Sequence, residues 1–283
     1  MRRILPAAIL LSCLALSFTL KTQEPKWQSL FNGKDLSGWD SYLGPDQDDN
    51  GKFITKEPLG LNNDPRHVFT VIKEDGEGAI HVSGDGWGAI ISKNEYENYH
   101  LRLQFKWGKL LWGQKKKGNR KDSGLLYHSV GPYGADYDAW MRAQEFQIEE
   151  GNCGDYWGCA GGTADIPAHP VTKADPMYDP KASLIHFTEG AKDGRHCTKQ
   201  GANYEVLSGQ WNTLDLYCHG DTSIHVVNGH LTIVLYHNSQ TDKGVITPMT
   251  KGRIQLQSEG SEIYFRRIEL QEIDRLPAEL VKP

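Results

Sequence analysis

The chain has 283 residues, of which 24% are charged and 38% are hydrophobic, and its formal net charge is −5. Nucleic-acid-binding proteins usually carry a dense basic surface, whereas the only dense basic run here is KKKGNRK at 115–121. We interpret that run as a solvated loop, so the composition indicates a globular protein with no nucleic-acid partner.

The N-terminal segment has the pattern of a secretory signal peptide. A charged start, MRR, precedes an apolar stretch that has small residues near its end. We therefore predict a signal peptide over residues 1–22 and a secreted or periplasmic protein. The motif LLSC at 10–13 faintly resembles a lipoprotein box, so lipidation of Cys13 is the alternative. No second apolar stretch is long enough to predict a transmembrane segment.

Short strand patterns separated by glycine-rich turns then recur along the chain. The predicted strands are 77–84, 88–94, 99–108, 123–131, 144–150, 211–220, 223–229, 230–238, 252–260 and 262–273. The dipeptide Asn228-Gly229 between two of them predicts a tight hairpin. Because no long pattern with a period of 3.6 residues occurs, we predict an all-β fold, a jelly-roll β-sandwich of two antiparallel sheets.

The segment 151–209 departs from this pattern. It is rich in Gly, Pro, Asp and Lys and shows little periodicity. We predict a single domain over 23–283 in which this segment is a long loop insert, forming a wall or lid beside a site.

Removal of the signal peptide would leave four cysteines. An even number in an oxidising compartment indicates disulfides, and four cysteines allow three pairings, among which the sequence does not choose. The rival interpretation, a zinc site, lacks a C-x-x-C pair or matching histidines. The disulfide candidates are Cys153, Cys159, Cys197 and Cys218.

A family resemblance rests on several motifs in order. LFNGKDLSGW at 30–39 and the C-terminal GRIQLQSEGSEIYFRRIELQEI, with DSGLLYH at 122–128 and QEFQI at 144–148 between them, resemble the 3-keto-disaccharide hydrolase family, which is distantly similar to glycoside hydrolase family sixteen. Asp122 stands where the family usually has Asn. The resemblance implies a concanavalin A-like jelly roll with a groove across one sheet, and a glycoside or oligosaccharide substrate oxidised to a ketone at carbon 3. It also implies an upstream sugar 3-dehydrogenase as pathway partner.

The strand at 144–150 carries the main chemical signal. Side chains alternate between faces of a strand, so Glu145, Gln147 and Glu149 share one face. The pattern resembles the acidic strand of family sixteen, except that Gln147 replaces an Asp. A retaining glycosidase needs carboxyls about 5–5.5 Å apart, whereas residues i and i+4 of a regular strand lie about 13 Å apart. Conventional retaining hydrolysis is therefore the weaker alternative.

A 3-keto sugar needs different chemistry. The ketone acidifies the proton on carbon 2, so a base can form an enolate that expels the aglycone from carbon 1, and water can then add back. This route needs one base, a group that stabilises the enolate oxygen and a proton for the leaving group. We hypothesise that Glu145 faces the groove as general base or as an organiser of the site, and that Gln147 and Glu149 bind the substrate.

Two further catalytic candidates lie on the strand that starts near residue 122. Asp122 and His128 are six positions apart and are expected to share one face close to Glu145. Either is a candidate acid or base. No cofactor is certain, but the three together would also suit a divalent metal acting as a Lewis acid. The alternative for His128 is a hydrogen-bonded structural role.

Aromatic and basic side chains complete the expected site. The tryptophans Trp112, Trp140 and Trp157 suit stacking on sugar faces. Arg142 and Lys115 are candidates for binding hydroxyls or an enolate oxygen. A non-catalytic carbohydrate-binding module remains a further alternative, because jelly rolls often only bind sugar.

Overall fold

The computed structural model describes residues 26–171, 174–199, 201–206 and 208–281. The predicted signal peptide, 1–22, and Cys13 lie outside the described residues. Among the described residues, no helix is long and apolar enough to cross a membrane.

The described chain is built almost entirely from strands. In chain order they are β1 (Gln28–Ser29), β2 (Trp39–Gln47), β3 (Phe53–Leu61), β4 (Phe69–Glu74), β5 (Glu77–Val82), β6 (Gly88–Ser92), β7 (Tyr96–Glu97), β8 (Tyr99–Leu111), β9 (Asp122–Val130), β10 (Arg142–Glu149), β11 (Tyr156–Cys159), β12 (Gly162–Val171), β13 (Ala174–Tyr178), β14 (Leu184–Phe187), β15 (His196–Cys197), β16 (Asn212–His219), β17 (Thr222–Val227), β18 (His230–Asp242), β19 (Val245–Pro248), β20 (Lys251–Ser258) and β21 (Ser261–Glu272). A short 3-10 helix at Gly113–Lys117 precedes β9.

The strands form two large antiparallel sheets. One has 12 strands with the path β13-β12-β18-β17-β16-β8-β21-β5-β4, and the other has 9 strands with the path β15-β11-β10-β9-β20-β6-β2-β3. The predicted all-β jelly-roll β-sandwich of two antiparallel sheets is thereby confirmed. Asn228, with φ 49°, and Gly229 form the predicted hairpin between β17 and β18.

Strands β2, β3 and β4 were not predicted. The sequence of β2, WDSYLGPDQ, contains a Gly-Pro pair that is typical of turns. In the structure, Pro45 lies beside a register shift between β2 and β3, and β3 is the edge strand. Proline is tolerated at such edges and bulges. The Gly-Pro pair therefore did not prevent a strand here, although it indicated a turn.

The interpretation of residues 151–209 as a long loop is wrong. The segment contains five strands, β11 to β15. β11 forms an antiparallel pair with β10, whereas β12 pairs with β18 of the other sheet, so the segment extends both layers. Two prolines in β12, of which Pro170 lies at another register shift, concealed the strand pattern.

The alternation of side chains along β9 and β10 divides the smaller sheet between core and site. Leu125 and Tyr127 of β9, with Phe146 and Ile148 of β10, point between the sheets and pack in the main hydrophobic core. The intervening residues of the same strands therefore point to the opposite face. That face carries the candidate site.

Candidate functional site

A cavity of about 320 Å³ lies on the face of the smaller sheet that is turned away from the core. It is lined by residues of β9, β10, β11 and β20 and of the loops beside them. The lining residues are Trp87, Asp122, Asp136, Tyr137, Trp140, Glu145, Gln147, Trp157, Cys159, Arg195, Gln257 and Glu259.

Glu145 lies near the centre of this floor. It pairs with Leu126 of β9 on one side and with Trp157 of β11 on the other. Its Oε2 accepts a hydrogen bond from the Cys159 thiol at 3.2 Å. A Cβ at position 124 would lie 2.2 Å from Oε1 of Glu145, so glycine there leaves room for the carboxyl in its present position. Burial, followed by repulsion from Asp122, raises the pKa of Glu145 to about 8.

Asp122 occupies the start of β9 and is held by two partners. Its Oδ2 accepts from Lys115 Nζ at 2.7 Å, and its Oδ1 accepts from Gln147 Nε2 at 3.2 Å. Burial raises the pKa of Asp122 to about 6, and the charge of Lys115 opposes that rise. Burial and repulsion from Asp122 also raise the pKa of Glu259 well above its ordinary value.

These carboxyls are close enough to affect one another electrostatically, so they do not all ionise together near neutral pH. With a pKa of about 6, Asp122 is the carboxyl that ionises first, whereas Glu145 with a pKa of about 8 still holds its proton. The cavity therefore offers one ionised and one protonated carboxyl at the same pH, which is the condition for acid–base chemistry.

The opposite wall of the cavity is basic and aromatic. Arg195 approaches the Asp136 carboxylate at 3.3 Å and lies 5.7 Å from the centroid of the Trp157 ring. Trp87 stacks on Trp140 with centroids 5.5 Å apart. Flat aromatic surfaces beside polar groups suit a sugar, which presents apolar C–H faces and polar edges.

Five of the residues selected from the sequence as site residues meet in this cavity: Asp122, Trp140, Glu145, Gln147 and Trp157. Lys115 reaches its edge through the ion pair with Asp122. Trp112 lines a small cleft next to the cavity, where its Nε1 donates to Ser83 O at 2.9 Å.

The expectation that His128 shares a face with Asp122 is wrong. Between the pairs Arg142–Val130 and Gln144–Tyr127 the register of β9 and β10 shifts, and His128 has a φ of 51°. This bulge reverses the alternation, so the fully buried ring of His128 contacts Tyr99 in the interior. Its Nδ1 bonds Met249 O at 2.9 Å. Burial lowers the pKa of His128 to about 4.

Arg142 and Glu149 lie on β10 but do not line the cavity. Arg142 donates from Nε to Ala160 O at 2.7 Å and from Nη1 to Gln240 Oε1 at 2.9 Å, so it ties β10 to the neighbouring loops. Glu149 bonds the side chain of Asn152 and approaches Arg120 at 3.6 Å. Their expected contact with substrate is therefore not supported by their positions.

The four cysteines carry free thiols, and none is joined to another, so the disulfide prediction is wrong for this structure. Cys153 and Cys218 lie in the main core, whereas the others belong to two different apolar clusters. Cys197 donates to the carbonyl of Thr198, and Cys159 donates to Glu145. The even number of cysteines predicted disulfide pairs, but the fold joins no two of these four cysteines.

The metal set suggested from the sequence is not brought together. His128 is on the core side of the sheet, while Asp122 and Glu145 face the cavity. Within the described ranges, no three His, Cys, Asp or Glu side chains are arranged to hold a metal ion.

Half of the cavity lining was missed from the sequence. Most of it comes from loops whose proximity depends on the tertiary fold. Gln257 and Glu259 are the exception, because GRIQLQSEG alternates polar and apolar residues as β10 does, and its polar face could have been matched to that of β10. The missed lining residues are Trp87, Asp136, Tyr137, Arg195, Gln257 and Glu259.

Comparisons with known proteins identify the family and agree with the fold. A family model described as "3-keto-alpha-glucoside-1,2-lyase-like domain" matches residues 26–271. No curated protein matches the chain. Among solved structures, a "Putative glycosyl hydrolase" from Parabacteroides distasonis is 20% identical with a TM-score of 0.50, and covers 88% of this chain and 100% of its own.

Two other structures are more distant. A second "putative glycosyl hydrolase" from Parabacteroides distasonis is 18% identical with a TM-score of 0.45, covering 88% of this chain and 94% of its own. A Bacillus subtilis "Protein of Unknown Function with Galectin-like Fold" is 11% identical with a TM-score of 0.40, covering 87% and 94%.

Proposed function

The chain belongs to the family of 3-keto-alpha-glucoside-1,2-lyase-like domains, and we propose that it cleaves glycosides whose sugar carries a ketone at carbon 3. The reaction is an elimination across carbons 1 and 2, followed by addition of water, so that the net result is hydrolysis. The observation that carries this proposal is the pair of buried carboxyls, Asp122 and Glu145, which differ in protonation within one cavity.

The roles follow from the protonation states. Ionised Asp122 accepts the acidified proton of carbon 2. Protonated Glu145 donates to the glycosidic oxygen as the bond from carbon 1 to that oxygen breaks, and a double bond forms between carbons 1 and 2. The aglycone leaves as an alcohol and an unsaturated ketone stays in the cavity. This assignment replaces the hypothesis that Glu145 is the base, because its raised pKa favours the acid form at neutral pH.

Water addition then uses the same groups in reverse. Glu145, now ionised, takes a proton from water as the water oxygen bonds carbon 1. Asp122, now protonated, returns a proton to carbon 2. The product is the free 3-keto sugar, and both carboxyls recover their starting states.

The charge that develops on the ketone oxygen during proton abstraction also needs stabilisation. Arg195 is the cation of the cavity wall, and its guanidinium lies 5.6 Å from the centroid of the Tyr137 ring and 5.7 Å from that of Trp157. We assign Arg195 to the enolate oxygen, and the amides of Gln147 and Gln257 to sugar hydroxyls.

The proposal also implies a supplier of the ketone. An oxidoreductase that oxidises the hydroxyl at carbon 3 of a glycoside has to act first. Export to the same secreted or periplasmic compartment as that enzyme remains a prediction from the N-terminal sequence.

The test is turnover of a chromogenic 3-keto-glucoside beside its unoxidised parent, with and without a chelator. We expect release from the keto substrate alone, lost in Glu145→Gln and in Asp122→Asn but retained in Glu149→Gln, which alters the same strand outside the cavity lining. Sensitivity to the chelator would add a metal to the mechanism. Equal release from the parent glycoside would instead identify a conventional glycosidase, and sugar binding without release would identify a binding module.

A further inference from the structure

A narrow cleft of about 30 Å³ adjoins the cavity. Trp87 and Glu259 line both spaces, so the cleft meets the cavity at these two side chains. The partly exposed Asp48 lines the cleft but not the cavity. Glycine backbone forms much of the remaining wall: Gly51, Gly84, Gly86, Gly113 and Gly260.

The cleft has the size and chemistry for water. A site needs about 10–15 Å³ to hold one water molecule, so the cleft has room for about two waters and is too small for a sugar unit. Gln47 lines it and is only 7% exposed, yet its Nε2 has no hydrogen-bond partner among the described side chains. Buried water molecules typically bond polar groups that have no partner in the protein.

The backbone around Gln47 is firmly held. Its N–H donates to Asp46 Oδ1 at 3.0 Å, and its carbonyl accepts from Arg66 Nη2 at 2.8 Å. The unpartnered amide is therefore presented by a fixed segment. At the cavity end, Lys115 also lines the cleft and pairs with Asp122 at 2.7 Å. A water at this end lies beside the carboxyls to which catalysis is assigned.

We propose that this cleft is the conduit through which water reaches the cavity for the second half of the reaction. The inference rests on the proposed function. A bound sugar ring and its aglycone occupy the cavity from the aromatic side, so the incoming water needs another entrance. Water held at Gln47 passes Glu259 and adds to carbon 1 of the unsaturated ketone, losing its proton to Glu145 while carbon 2 takes the proton from Asp122.

The first test measures how the unsaturated intermediate is partitioned. Gln47→Met keeps the length of the side chain but removes its amide, and Gln28→Met makes the same change on the exposed strand β1. Single turnovers of a chromogenic 3-keto-glucoside are quenched rapidly, and the unsaturated ketone and the hydrated 3-keto sugar are quantified. We expect the ratio of unsaturated to hydrated product to rise about tenfold in Gln47→Met, because the free energy of one net hydrogen bond corresponds to a factor of about ten. The ratio should stay unchanged in Gln28→Met. An equal ratio in Gln47→Met and wild type would overturn the conduit.

The second test does not depend on turnover. Magnetic relaxation dispersion of water counts the long-lived water molecules of the wild-type protein and of Gln47→Met. The conduit requires long-lived water in the wild type that is lost in the variant, and an unchanged count would refute it. If wild type released no aglycone from any 3-keto-glucoside, the proposed function would fail, while the relaxation result would still decide whether the cleft holds water.

Discussion

Replacing Glu145 by Gln should stabilise the protein at alkaline pH even though it abolishes the proposed acid. Glu145 is 6% exposed, and its pKa in the folded protein is about 8, against an ordinary value of 4.5. Between these two pH values the unfolded chain has lost this proton while the folded protein keeps it. The free energy of unfolding of the wild type therefore falls as pH rises through this window, and the fall ends above the folded pKa.

The magnitude follows from the width of that window. Each pH unit inside it lowers the free energy of unfolding by about 1.4 kcal/mol. From pH 5 to pH 8 the contribution of Glu145 is therefore about 4 kcal/mol, which is a large part of the 5–15 kcal/mol that stabilises a typical domain. The amide introduced by Glu145→Gln does not titrate, and its oxygen can still accept the hydrogen bond from Cys159.

Urea unfolding followed by tryptophan fluorescence at pH 5 and at pH 8 provides the assay. The difference in unfolding free energy between Glu145→Gln and wild type should become more favourable to the variant by about 4 kcal/mol between the two pH values. The control, Glu149→Gln, should show no comparable change. A difference that is the same at both pH values would mean that burial does not hold Glu145 in its acid form, and its assignment as proton donor would be withdrawn.

Three further predictions address the same carboxyls. The rate constant kcat/KM for a 3-keto-glucoside should follow a bell-shaped pH profile, rising near pH 6 with ionisation of Asp122 and falling near pH 8 with ionisation of Glu145; a flat profile would refute the pairing. Gly124→Ala should lower kcat by about a hundredfold with retained circular dichroism, because its Cβ displaces the Glu145 carboxyl. Lys115→Met should move the rising limb to higher pH, since it removes the charge that favours ionised Asp122; an unmoved limb would exclude Asp122 as the base.

The alternation of side chains that defines this site could be predicted from the sequence. The bulge that interrupts the alternation in β9 could not. A period of two placed Glu145 and Gln147 on one face and Phe146 on the other, because regular strands obey it. The same rule failed at His128, where one extra residue in β9 reverses the faces. A bulge has no reliable local signature when it is fixed by pairing with a distant strand.

The residues that the sequence did not reveal come from long-range proximity. Arg195 lies in the segment that was interpreted as a loop, and it reaches the cavity because its carbonyl accepts from the N–H of Gly158 at 2.9 Å. Asp136, its ion-pair partner, lies in the loop between β9 and β10. No sequence pattern links Asp136 to Arg195. Their opposite charges meet because strand pairing brings their two segments together.

The arrangement of charges explains why such a site needs both burial and a nearby lysine. Burial alone would raise the pKa values of Asp122 and Glu145 together and leave two acids without a base. The ion pair with Lys115 acts on Asp122 through a direct contact at 2.7 Å. Glu145 receives the weak hydrogen bond of a thiol, and the charge of Arg195 lowers its pKa less than that hydrogen bond does. The two carboxyls therefore separate in pKa although they share one cavity. An elimination that needs an ionised base and a protonated acid at the same pH depends on that separation of pKa values. The lysine that produces the separation, Lys115, belongs to the basic run that we interpreted from the sequence as a solvated loop.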